Sequence, residues 1–343
     1  MSSPNCPLCN GTTTPAFRFR AVDGPYRDIV EPHWRNFLRC DTCEFVTVES
    51  ADSELLKSYY SSLPPDYHER HDHDVSRYRK ITAMVEELRP KRILDFGCGN
   101  GAFLENIAGQ ELEKYGVEFS DSAAQTAARR GITLLPEEIL ASEMAHQFDV
   151  VTAIDVVEHA TDVIGLRSFF ARLLKPGGHL ILLTGNLRSP SAILVGRFWY
   201  YMHFAEHLNF FSDRAIRSWL QPTFRTVELI PTNHHPLSYR EALSFAKIWS
   251  SFPLKLILRR FDLRRVSLGL PVRNDHMIVR AVRATVDSTT RTKTFCDRQS
   301  NSYCESPAHD FHTQQESSLR DCAGLFARRV DARPKSTKPS QEY

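Results

Sequence analysis

The sequence predicts an α/β fold carrying a small cysteine module at its N-terminus. Three observations predict it. Ile93, Leu94 and Phe96 form a short apolar run that leads into Gly97-Cys98-Gly99-Asn100-Gly101, and AFLENIAG from Ala102 continues as a helix with Gly109 as its stop. Further short apolar runs then alternate with helical stretches, the pattern of an open, mostly parallel sheet. Four of the eight cysteines fall into two C-x-x-C pairs, Cys6–Cys9 and Cys40–Cys43.

Composition bounds the rest. The chain has 343 residues, 42% of them hydrophobic, enough for a full α/β domain with additions. A net charge of +2 argues for no particular charged partner. No apolar run reaches the roughly 18 residues that a membrane-spanning helix needs. The N-terminal MSSPNCPLCNGTTTP lacks the apolar core of a secretory signal. Paired cysteines in such a chain favour metal over disulfides, so the expected compartment is reducing and cytoplasmic.

Residues 1–50 read as the metal module. Two thiolates at C-x-x-C spacing reach one ion from a tight knuckle, and Cys6, Cys9, Cys40 and Cys43 together would close a tetrahedral zinc shell. A closed shell leaves no open position, so the expected zinc is structural. Gly11 follows the first pair as a turn residue, and the aromatic-rich FRFRAV and WRNFLRC suit a hairpin between the pairs. Residues 51–90 read as a helical linker or lid. It is turn-rich around His68, His71 and His73, with Tyr59, Tyr60 and Tyr67 available to a ligand. A helix with Ile81, Val85 and Leu88 on one face ends before Pro90.

At the glycine turn two cofactor readings compete. Gly97, Gly99 and Ala102 fit the G-x-G-x-x-A dinucleotide pattern. Asp95, two residues before the first glycine, would repel a pyrophosphate and would suit a ligand carrying an ammonium and a sulfonium. Tyr115-Gly-Val-Glu118 is a second strand, and its terminal acid is placed to accept hydrogen bonds from both ribose hydroxyls. Asp121 to Arg130 is a helix capped by Ser120 or Asp121. GITLLPEEIL gives a third short strand. FDVVTAIDVVEH is a fourth, apolar as a central parallel strand should be, and ends in Asp155, Glu158 and His159. A helix from Asp162 to Leu174 precedes Lys175-Pro-Gly-Gly and a fifth strand. Phe224–Thr232 and residues 274–284 read as a closing antiparallel pair.

The D-x-G-x-G-x-G of Asp95, Gly97, Gly99 and Gly101 resembles motif I of class I S-adenosylmethionine-dependent methyltransferases. The Asp155–His159 stretch resembles motif IV of that class, and K-P-G-G is a further recurrent feature in the right order. HLNFFSDRAI is similar to a segment of bacterial small-molecule methyltransferases of the ubiquinone O-methyltransferase and sugar methyltransferase type, several of which carry a four-cysteine zinc module. The resemblance implies a doubly wound, seven-stranded, mostly parallel sheet over residues 91–284. It also implies a cofactor site of Asp95 (methionine ammonium), the glycine turn, Glu118 (ribose) and Asp155.

Around Phe198–Tyr201, the residues His203, Glu206 and His207 are the substrate-side candidates. His207, with an unperturbed pKa near ~6.5, suits a general base for a hydroxyl acceptor. Ser212 caps a helix from Asp213 to Leu220. The expected partner is a small-molecule acceptor. DNA amino methylation is not supported, since N/D-P-P-Y/F is absent. The amphipathic insert 240–266 carries Lys255, Arg259, Arg260, Arg264 and Arg265, a face for peripheral membrane or lipid-linked substrate contact. Protein or RNA methylation with docking through the zinc ribbon, and a nicotinamide-dependent oxidoreductase, are the alternatives. Residues 285–343 read as a disordered tail.

Overall fold

The computed structural model describes residues 4–20, 34–50, 78–204, 206–232 and 275–285. Most of the lid, the basic insert and the tail after 285 lie outside the described residues. Strands β1 (Thr13–Arg20), β2 (Trp34–Cys40) and β3 (Val46–Val48) come first, then helix α1 (Arg79–Leu88). The α/β part runs β4 (Arg92–Phe96), α2 (Ala102–Glu105), β5 (Glu113–Val117), α3 (Asp121–Arg129), β6 (Thr133–Leu134) and α4 (Glu137–Glu143). It continues through β7 (Phe148–Ile154), α5 (Val163–Leu173), β8 (Leu174–Gly185), α6 (Pro190–Val195) and β9 (Asn209–Phe210). The last elements are α7 (Asp213–Leu220), β10 (Phe224–Thr232) and β11 (His276–Arg283).

Seven strands form one sheet in the order β10-β11-β8-β7-β4-β5-β6. The strands from β8 to β6 are parallel to one another, and β11 lies antiparallel between β8 and β10. The doubly wound, mostly parallel sheet expected from the resemblance is present. Alternate residues feed opposite faces, as strand geometry requires. Ile93, Val150, Ile181 and Leu183 enter one apolar cluster with Ile81, Val85 and Ile107. Leu94, Phe96, Val151, Leu180 and Leu182 enter the other with Phe170, Phe211 and Trp219.

The cysteine hairpin forms as its aromatic runs suggest, with β1 antiparallel to β2 and β2 to β3. Its fourth strand is β9, taken from within the α/β part of the chain, with Val46 opposite Phe210 and Thr47 opposite Asn209. The four-stranded sheet therefore crosses the boundary drawn at residue 50. Cys6, Leu8, Cys40, Cys43 and Phe45 belong to the same apolar cluster as the sheet's core residues. The Ser212 hydroxyl adds a bond to the Cys43 carbonyl at 2.9 Å while accepting from the Ala215 amide at the start of α7.

Two local expectations change. Helix α2 stops at Glu105, not at Gly109, because the Asn106 side chain turns back to donate to the Ala102 carbonyl at 2.8 Å. In the first knuckle Asn10, not Gly11, takes the left-handed conformation (φ 59°). Gly11 is required by close approach instead, since a Cβ there would sit 2.5 Å from Thr42 Oγ1.

Candidate active site

The site lies beyond the carboxyl ends of β4, β5 and β7, where open α/β sheets bind ligands. Asp95, 3% exposed on β4, accepts a 2.6 Å bond from the Thr152 hydroxyl of β7, directly opposite it in register. That bond fixes one carboxylate oxygen at the sheet's end. The chain then turns with Gly97, Gly99 and Gly101 all left-handed (φ 78°, 54° and 80°). A Cβ on Gly97 would lie 2.8 Å from Val156 Cγ2, so this position needs glycine both for conformation and for space. The Gly97 and Cys98 amides donate to the Val117 carbonyl, tying the turn to the end of β5.

Glu118, just past β5, faces the same turn. Its carboxylate accepts from the Gly99 amide at 2.9 Å and from the Phe119 and Ser120 amides at 2.8 and 2.7 Å. Three donors leave a further lone-pair direction for a hydroxyl. Phe119, at 45% exposure one of the few large apolar side chains facing solvent among the described residues, stands beside it.

Asp155, left-handed at φ 53°, ends β7 and opens a 3₁₀ turn, Val157–His159. Glu158 is fully buried. It accepts from Thr184 Oγ1 at 3.0 Å and from the Tyr201 hydroxyl. Burial first, and then the nearby Asp155 charge, push its carboxyl up to about 8, so it holds a proton at neutral pH. The Gly185 amide donates to the Tyr201 oxygen at 3.0 Å, so the Tyr201 proton is directed to Glu158. Burial lowers the His159 imidazole to about 4.

His207, 6% exposed, reaches this group from the segment before β9. Its Nδ1 lies 2.7 Å from the Tyr201 carbonyl, which only an N–H can satisfy, so Nε2 carries the lone pair. The ring packs among Tyr201, Phe204 and His159, with centroids 4.1, 4.9 and 4.8 Å away. Burial, then the His159 ring, hold it well below the ordinary histidine range and keep it neutral. Ligand-capable atoms of Glu158, His159 and His207 lie within 4.8 Å of one another, a spacing that a divalent cation can use. The buried Asp275–His276 pair closes the far side, with His276 edge-on to Tyr201 at 5.1 Å.

The cysteine cluster lies behind this wall. Cys6 and Cys43 sulfurs are 3.6 Å apart and those of Cys9 and Cys40 3.5 Å, and all four lie within 4.8 Å of one another. Four thiolates at ~2.3 Å from zinc stand about 3.8 Å from each other, so the set has the number and spacing of sulfurs that this ion takes. The two knuckles repeat each other. Cys6 donates to the Gly11 carbonyl and Cys40 to the Phe45 carbonyl, and Asn10 and Glu44 are both left-handed. The Thr42 and Cys43 amides point to the Cys40 sulfur at 3.4 Å. The bond from Cys43 draws the Cys6 thiol down to about 5 and pushes Cys43 up, as expected where one proton is held between two sulfurs.

A family model described as a methyltransferase domain matches residues 67–223. The ubiquinone biosynthesis O-methyltransferase of Burkholderia vietnamiensis is 31% identical over 172 residues, 46% of this chain and 74% of that protein. The chain belongs to the S-adenosylmethionine-dependent methyltransferases. The ubiquinone biosynthesis O-methyltransferase of Alkalilimnicola ehrlichii is 34% identical over 132 residues, and there the match spans 36% of this chain and only 53% of the relative. A solved S-adenosylmethionine-dependent methyltransferase from Archaeoglobus fulgidus is similar over 60% of this chain and 91% of that one, with 18% identity and a TM-score of 0.41. Membership in this family sets aside the dinucleotide reading of the glycine turn.

Of the sequence-predicted residues, Asp95, the three glycines, Glu118 and Asp155 converge on one sheet edge, with His207 beside Glu158 and His159. Thr152, Thr184, Asn209, His276 and Arg35 were not anticipated. Each acts by touching a residue far away in sequence, and no local pattern marks it.

Proposed function

We propose that this methyltransferase moves a methyl group from S-adenosylmethionine to a hydroxyl of a small-molecule acceptor. One observation carries the reading. The Asp95–glycine turn–Glu118 edge and the neutral Glu158–His159–His207 group lie past adjacent parallel strands, so cofactor and acceptor would meet between them. S-adenosylmethionine, when bound, supplies a methyl already activated by its sulfonium charge. Asp95 would attract the methionine ammonium, with the glycine backbone in close approach. Glu118 would take a ribose hydroxyl, and Phe119 offers the nucleoside base an apolar face. Asp155 would border the methionine moiety. The protein's main contribution is alignment of oxygen, methyl and sulfur. As the O–CH₃ bond forms and the S–CH₃ bond breaks, the hydroxyl proton would pass to His207 Nε2, the ring nitrogen that carries the lone pair.

The four-cysteine cluster would hold a structural zinc, and its free thiols suit a reducing, cytoplasmic setting. Among the described residues no helix is long and apolar enough to cross a membrane. The basic insert that would meet a lipid-linked acceptor lies outside the described residues.

Calorimetric titration with S-adenosylmethionine tests the proposal, with NAD as control, on wild type and Asp95→Ala. Saturable binding that weakens at least about tenfold in the variant, roughly 1.4 kcal/mol, is expected. Undiminished binding in a folded Asp95→Ala protein, or none in the wild type, would overturn it.

A further inference from the structure

Arg35 sits on β2 of the cysteine sheet, and its guanidinium reaches beyond that sheet. It is 6% exposed and stands 5.2 Å over the Phe37 ring. Nη1 donates to the His207 carbonyl at 3.0 Å, and Nη2 to the Phe204 and Met202 carbonyls at 3.1 and 3.3 Å. The Met202 carbonyl belongs to the 3₁₀ turn Tyr200–His203, and those of Phe204 and His207 to the irregular stretch between that turn and β9, where no ladder orders the backbone. A rigid planar fork is the side chain suited to hold several diverging acceptors at once.

His207 is thus held at two points. Arg35 grips its carbonyl, and the Tyr201 carbonyl holds its ring Nδ1. The neighbouring contacts run the same way. The Leu208 amide donates to the Glu158 carbonyl at 2.7 Å, while the Val48 amide of β3 donates to the Leu208 carbonyl at 3.0 Å. Asn209 donates to the Ala160 carbonyl at 2.7 Å and accepts from the Thr47 hydroxyl at 3.0 Å. Strands β2 and β3 therefore hold the 207–209 segment, which in turn holds the backbone of the Glu158–Ala160 turn. Cys40 ends β2, and its amide bonds the Phe45 carbonyl beside β3, so the cysteine knuckle fixes the hairpin from which Arg35 projects.

We propose that Arg35 is a positioning residue for the acceptor side of the site: from the cysteine module it sets the placement and tautomer of His207, leaving the cofactor edge unaffected. The proposal rests on reading the His207 wall as the acceptor site, and its test separates the two. Arg35→Met and Arg35→Lys are made in the full-length chain with nitrogen-15-labelled histidine. The His207 ring signals, assigned through a His207→Gln variant, are followed by NMR beside calorimetric titration with S-adenosylmethionine. In wild type, His207 shows one fixed tautomer with an N–H at Nδ1. Arg35→Met is expected to average the two tautomers of His207, with S-adenosylmethionine affinity kept within twofold. Arg35→Lys, which retains charge and donors but not the fork, should give an intermediate pattern. If Arg35→Met does not fold, Arg35→Lys alone carries the test. Unchanged His207 signals in a folded variant would overturn the proposal, as would a loss of S-adenosylmethionine affinity beyond twofold, the mark of general destabilisation. Failure of the wild type to bind S-adenosylmethionine would instead overturn the functional reading and leave the His207 result standing on its own.

Discussion

Cys98 and Gly116 occupy one space between the glycine turn and β5. A Cβ built on Gly116 would lie 2.6 Å from Cys98 Sγ, 3.2 Å from Cys98 Cβ and 3.1 Å from Ile132 Cγ2. The first distance is about 1 Å inside ordinary contact, and Cys98 is 6% exposed with no room to retreat. Gly116→Ala should therefore cost about 1–3 kcal/mol, the range for overpacking by one methyl. For a domain of this size that is a fall in melting temperature of roughly 2–4 °C per kcal/mol. Cys98→Ala removes the offending sulfur and by itself costs on the order of 1 kcal/mol of buried contact. Combined, the two substitutions exchange a sulfur for a methyl, and the remaining 3.2 Å contact can relax. The double variant should then be more stable than the sum of the single effects by at least about 1 kcal/mol. Urea midpoints of the four proteins measure this directly. Additivity within about 0.5 kcal/mol would refute the reasoning. Because the strain of Gly116→Ala is borne by the Cys98 backbone, S-adenosylmethionine affinity should fall in that variant and recover in the double one.

Two further outcomes follow from named contacts. Asp149 accepts from the Lys91 and Arg92 amides at 2.9 Å each and from Lys175 Nζ at 2.6 Å. Burial alone would raise its pKa, but Lys175 and the two amides more than offset this and lower it. A depressed carboxylate contributes stability that is complete above its unfolded value of about 3.9 and lost as pH falls through the folded value. The stability gap between wild type and Lys175→Met should accordingly be constant near neutral pH and close in acid, and a pH-independent gap in urea titrations would disprove the link. For the cysteine cluster, elemental analysis should find about one zinc per chain in the wild type and none in Cys43→Ala. Wild-type protein that is folded but nearly free of zinc would rule that assignment out.

The fold was legible wherever the signal was local. The Ile93–Gly101 run, the acid at Glu118, the Ser212 cap and the two C-x-x-C pairs each announce themselves within a dozen residues, because turns, caps and knuckles are short-range devices. Helix α2 was read too long because Ala102–Ala108 is compatible with helix, and only the Asn106 side chain stops it. In the sequence, K-P-G-G is legible only as a recurrent feature in the right order. Its lysine proves to pin β7 through Asp149, a partner 26 residues away. The pairing of β3 with β9 was illegible for a plainer reason: a two-residue strand, Asn209–Phe210, has no periodicity to read. Arg35 carries no local signal, because its burial depends on a segment some 170 residues downstream.

The shared strand also orders events during synthesis. The cysteine hairpin emerges first, and its thiols can gather an ion at once. Its sheet, however, stays one strand short until Asn209 is made, 162 residues after its register partner Thr47. Through that interval β3 presents an open edge, and the apolar faces of Phe37, Val46 and Val48 await Phe210. Closing so long a loop is entropically expensive and slow. The nascent hairpin would thus spend the synthesis of about 160 residues as an unfinished edge, and residues 209–210 act as the latch that ends its exposure.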